Sequence, residues 1–134
     1  MTERPEQPDA YAGHLAISVV AVGPGWARAA VEVSPRHENM HGTAHGGLVF
    51  SVADAALQAA SNSHGPTAVA TSVAINYVRP ASVGDSLLAE ALEEHVGGRL
   101  GLYRIEVRRA SDGAVIALAT GQVSISRPAG QTPA

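Results

Sequence analysis

One short run of this chain gathers the residue types able to handle a carbonyl or move a proton. Asn39, Gly42, His45, Gly46 and Gly47 stand directly ahead of an apolar stretch, and Asp54 follows inside it. If that stretch is a helix, its first N–H groups lack intrahelical partners and carry a partial positive charge. Paired glycines at such a start let a ligand approach the backbone without meeting a Cβ. That arrangement can form an oxyanion hole for an acyl carbonyl. A carboxylate two turns further on is a candidate base or nucleophile.

The spacing predicts the helix. Val49, Val52, Ala56 and Ala59, with Ala53 and Ala60 beside them, follow the i, i+3, i+4 pattern from near Gly47. Gly65-Pro66 cannot continue it, which ends the helix around residues 63–65. At about 100° per residue, Asp54 leaves that stripe and shares a face with Phe50, Leu57, Gln58 and Ser61. Two readings stand. Most charges off a core stripe are solvated, whereas the largely uncharged company of this one suits a pocket.

Strands must frame the helix. Residues 14–22 are apolar and β-branched, Gly23-Pro24-Gly25 turns the chain, and residues 28–33 form a second strand. Residues 67–78 make a long third. Residues 86–96 also fit a helix, yet Gly97-Gly98 signals a hairpin, and Tyr103, Ile105 and Val107 then alternate with Arg104, Glu106 and Arg108. Asp112-Gly113 marks another turn before a last strand at 114–126. Strand, strand, long helix and four strands is an α+β order. Residues 1–11 and 127–134 read as tails around a single domain at 12–126.

Composition narrows the chemistry. The 134 residues include no cysteine and no lysine, and all nine basic side chains are arginine. This removes disulfides, thiolate nucleophiles, Schiff bases and the Walker-A lysine. A net charge of −3 without a basic stripe argues against a nucleic-acid partner. No run reaches the ~20 apolar residues of a membrane helix, and the polar, Pro-rich start is unlike a secretory signal, so the cytoplasm is the expected location. His37, His41 and His45 are spaced as a helical metal site would be, but the glycines among them oppose a helix, and no metal is expected. The G-x-S-x-G nucleophile motif is absent. Arg79, Arg99, Arg104 and Arg108 can pair with phosphate, Arg79 foremost because it adjoins the long third strand. Twenty-five alanines imply either unusually close backbones or a partner chain that completes the core.

The pattern Asn39-x-x-Gly42-x-x-His45-Gly46-Gly47 followed by Asp54 resembles the signature of hotdog-fold acyl-CoA thioesterases. It is most similar to the phenylacetic-acid-degradation (PaaI) type, within the 4-hydroxybenzoyl-CoA thioesterase superfamily. The likeness extends through Asn62–Gly65, INYVRPASVGD and the Gly98-Arg99 turn, spanning residues 12–126. It implies an antiparallel sheet wrapped around one long central helix. It also implies that Gly46 offers its N–H to the thioester carbonyl, that His45 holds the loop, and that Asn39 positions substrate or water. Asp54 is then the catalytic carboxylate, reaching the site from the opposing subunit of a dimer. Gln58 and Gly47 belong to the substrate's surroundings, and either Thr71 or Ser72 supplies an assisting hydroxyl. The expected activity is hydrolysis of aryl- or phenylacetyl-like acyl-CoA to acid and coenzyme A. No cofactor is expected beyond the coenzyme A of the substrate, and the expected assembly is a homodimer or a dimer of dimers, a homotetramer. The alternative is a non-catalytic module that binds acyl-CoA or another acyl ligand.

Overall fold

Alanine sets the spacing of the layers. In the structure, a computed structural model describing residues 9–126, Val52, Ala53, Ala56 and Ala60 of the long helix are buried in one core with Ala27, Ala29, Ala89 and Ala91 of the sheet. The elements run α1 (Ala10–His14), β1 (Ser18–Gly23), β2 (Trp26–Glu32), a 3-10 turn (Pro35–His37), α2 (Gly46–Ser61), β3 (Thr67–Tyr77), β4 (Ser86–Gly97), β5 (Leu100–Arg109) and β6 (Val115–Ser126). The six strands form one sheet in the order β1-β2-β4-β5-β6-β3, antiparallel at every pairing. α2 packs chiefly on β2, β4 and β5. A Cβ added at Gly121 of β6 would lie 2.7 Å from Leu57 Cδ2, so at this point helix and sheet leave no room for a methyl group. Close approach of helix and sheet is thus one of the two expected uses of the alanine-rich interior.

The helix opens one narrow stripe. Leu57 and Ser61, which share the face of Asp54 by helical angle, are nevertheless buried, at 1% and 6% exposure. The stripe left open or half-open is Gly47, Phe50, Ser51, Asp54 and Gln58, at helical spacing. The sheet curls around the rest.

The first strand begins later than its composition predicts. Residues 10–14 form α1, which takes in two positions of the expected N-terminal tail, and β1 starts at Ser18. Asp9 caps α1 by accepting the Ala12 N–H at 3.0 Å. Residues 1–8 and the tail at 127–134 lie outside the described residues.

In β3 the register slips between Ala70 and Ser72, leaving Thr71 as an extra residue. Ala68 is buried, and Val73 and Ile75 pack on the core. An odd spacing between Ala68 and Val73 on one face requires that one residue be inserted. β3 is also the edge of the sheet, paired on one side by β6.

Candidate active site

The site grows from the cap of α2. His45 is the N-cap, and its Nδ1 accepts the Gly47 N–H at 2.8 Å. A Cβ at Gly47 would stand 3.0 Å from that Nδ1, so glycine preserves the cap. The His45 carbonyl takes the Leu48 and Val49 N–H groups at 2.9 and 3.3 Å. Gly46 is left over: its N–H has no acceptor among the described residues. Its carbonyl accepts the Tyr77 hydroxyl at 3.0 Å.

Beside Gly46 lies a cleft of about 360 Å³, bordered by Asn39, Val49, Tyr77, Arg79 and Ala81 among others. The loop that leads to it is held from both ends. The His45 N–H donates to the His37 carbonyl at 2.8 Å. His37 is buried, and its Nδ1 accepts the Ser34 N–H at 3.0 Å. The proton is thereby on Nε2, which donates to the Leu15 carbonyl at 2.9 Å. Both nitrogens of His37 are thus occupied, and no group of three metal-ligating side chains occurs among the described residues.

Asn39 spends its side chain on the loop. Oδ1 accepts from the His41 and Thr43 N–H groups at 2.8 and 3.1 Å, and Nδ2 donates to Thr43 Oγ1 at 3.0 Å. It shapes the cleft wall through this closed turn. Arg79 borders the same cleft and donates from a terminal nitrogen to the Val115 carbonyl at 2.7 Å, with an exposed side chain.

Asp54 is half-buried on the open stripe, and its carboxylate makes no hydrogen bond among the described residues. Partial burial first, and then the negative charge of Asp9, raise its pKa above the ordinary aspartate value. Gln58 stands one turn on. Eight residues separate Gly46 from Asp54, about 12 Å along the axis at 1.5 Å per residue. Within one chain, therefore, the acid and the open N–H do not meet on one reacting atom.

Thr71 and Ser72 do not line the cleft. Thr71 Oγ1 is engaged with Gln122, donating to its carbonyl at 3.3 Å, and Ser72 lies opposite Gln122 on the face turned from α2. Sequence reasoning missed Tyr77. Counting by two from Val73 and Ile75 places it on the helix side, where it meets Gly46.

These features define the class. A family profile described as the thioesterase superfamily matches residues 41–116. The chain belongs to that superfamily, a family of hotdog-fold thioester hydrolases, and its relatives include PaaI proteins. Escherichia coli acyl-coenzyme A thioesterase PaaI is 39% identical over 99 residues, covering 74% of this chain and 71% of that one. The solved structure of the E. coli PaaI protein superposes with a TM-score of 0.85 at 35% identity, over 89% of this chain and 86% of that one. The phenylacetic acid degradation protein PaaI of Thermus thermophilus, in a mutant structure, gives 0.82 at 40% identity, over 87% and 98%. A Streptococcus mutans protein solved with bound acetyl CoA gives 0.77 at 27% identity, over 82% and 88%. No helix among the described residues is long and apolar enough to cross a membrane.

Proposed function

We propose that this protein hydrolyses acyl-CoA thioesters in the cytoplasm, aryl and phenylacetyl-like acyl groups among them, releasing the free acid and coenzyme A. The observation that carries the reading is the unpaired N–H of Gly46 on the cleft, a donor held ready for an oxygen that gains negative charge. Asp54 removes a proton from water as hydroxide adds to the carbonyl carbon. Collapse of the tetrahedral intermediate breaks the C–S bond, and the departing thiolate takes that proton. Alternatively Asp54 itself attacks the carbonyl carbon and the C–S bond breaks to release the thiolate. Water then opens the mixed anhydride, which frees the acid, restores the Asp54 carboxylate and leaves a proton for the thiolate. Neither route calls for a cofactor or a metal.

The 12 Å offset supports a site shared by two chains, in which Asp54 of one copy serves Gly46 of the other. The unpaired edge of β3 supports this reading, since an open strand edge invites a second strand. A homodimer is the smallest assembly that provides it, and a dimer of dimers repeats it. Asn39 acts by shaping the loop and Arg79 is the ligand for a coenzyme A phosphate.

Thiol release measured across a panel of acyl-CoA chain lengths and aryl groups tests the activity. Acyl-CoA binding without release from any member would instead favour a ligand-binding module. Single-turnover hydrolysis in ¹⁸O-water separates the two routes, because label entering Asp54 marks it as nucleophile. Sedimentation of an active monomer would remove the shared site.

A further inference from the structure

The open stripe of α2 has a neighbour that the reaction above does not use. Asp9 divides its carboxylate between two tasks. Oδ1 caps α1 on the Ala12 N–H at 3.0 Å, and the Asp9 carbonyl accepts the Gly13 N–H at 2.9 Å. The side chain is thus fixed on its own helix. Oδ2 faces α2, where Gln58 Nε2 donates to it at 3.5 Å, the outer edge of hydrogen-bond range. Gln58 lies one turn beyond Asp54 on the same stripe.

α1 is in turn fastened to the domain. The Leu15 carbonyl holds the buried His37 ring, and the Ile17 N–H returns to the Ala12 carbonyl at 2.9 Å. Ala12 and Leu15 pack on the core. Leaving α1 this way puts Ala16 at φ 60°, a left-handed conformation that costs a residue with a Cβ roughly 1–2 kcal/mol. A cap, a buried histidine and a strained alanine all help to set the Asp9 carboxylate against Gln58 at the edge of the open stripe.

We propose that Asp9 is a positioning residue of the active site, which holds Gln58 and sets the electrostatic field around Asp54 of the same chain. The inference rests on Asp54 being the reacting acid. On α2 the stripe neighbours of Asp54 are Phe50, Ser51 and Gln58, none of which ionises. Among the described residues Asp9 is the charged group that acts on it. A like charge disfavours ionisation. The same charge makes the ionised carboxylate more basic, which serves a general base working near neutral pH.

Asp9→Asn tests this, because asparagine caps as well as aspartate while removing the charge. The acid limb of the kcat/KM profile should move to lower pH. So should the titration midpoint of the Asp54 carboxyl followed by ¹³C NMR. Asp9→Ser, another good cap without charge, should repeat both displacements. An Asp54 midpoint that stays at the wild-type pH in both variants overturns the proposal. A displaced midpoint in a protein whose Asp54→Ala variant remains fully active upholds the electrostatic link, and overturns instead the role of Asp54 in hydrolysis.

Discussion

The two ends of α2 are built for opposite purposes. At the C-terminal end nearly every polar group is tied down. Asn62 donates to the Gln58 and Ala68 carbonyls at 2.9 and 3.0 Å and accepts the Ala68 N–H at 3.0 Å. Ser63 donates to the Ala60 carbonyl at 2.7 Å and receives the Gly25 N–H at 2.9 Å. Beyond it His64 pairs with Glu93, which also accepts the Tyr103 hydroxyl at 3.4 Å. At the N-terminal end the His45 cap satisfies its neighbours and leaves the Gly46 N–H open. Side-chain hydrogen bonds are concentrated where the helix ends, and an open donor stands where it begins.

The sharpest way to break this contrast is at Asp54. Asp54→Ala should lower kcat/KM by about 10²–10⁴-fold, the usual contribution of an acid–base group. Asp54→Asn should lose activity too, yet melt at a higher temperature than wild type at neutral pH. The sign follows from the raised pKa. The folded chain holds this proton more tightly than the unfolded one, so stability falls as pH rises through the window between the two pKa values. Above that window the cost of the ionised carboxylate is complete, and the amide avoids it.

The opposite end should respond in stability alone. Asn62→Ala removes three hydrogen bonds and should destabilise the fold by about 1–3 kcal/mol in urea titrations, with kcat/KM unchanged. A parallel fall in activity would dissolve the division. Gly47→Ala, which presses on the His45 ring, should cost about 1 kcal/mol of cap. By displacing the Gly46 N–H it should also reduce kcat/KM about tenfold, the equivalent of 1.4 kcal/mol in the barrier.

The smallest effect is spectroscopic. Burial, then the charge of Glu93 and its hydrogen bond, push the Tyr103 phenol up to about 12. Glu93→Gln should return its ultraviolet titration toward the ordinary tyrosine value near 10 without altering hydrolysis.

Much of this was legible in the residues. The helix was readable because Val49, Val52 and Ala56 repeat at its period, whereas the His45 cap was not, because it is a side-chain hydrogen bond from a residue type outside the usual capping set. The 86–96 segment has a helical composition but is strand β4, as the Gly97-Gly98 turn and the alternation after it indicated. What stayed hidden depends on contacts rather than on period. A single turn of helix at residues 10–14 is too short to show a periodicity, and the cap that defines it is a side-chain hydrogen bond. The bulge at Thr71 reverses the parity of β3, so alternation could not assign Thr71 and Ser72 to faces. The burial of Leu57 and Ser61 reflects how far the sheet curls around α2, which helical angles alone do not give.

The contact of Leu57 with the backbone at Gly121 has a consequence for how such an enzyme can diversify. With helix and sheet already touching there, that part of the interior offers no volume into which a larger side chain or ligand could extend. On the outward stripe, at Phe50, Ser51 and Gln58, side chains can change size without reopening the core. The outward residues of this helix are therefore free to vary independently of those that hold the fold.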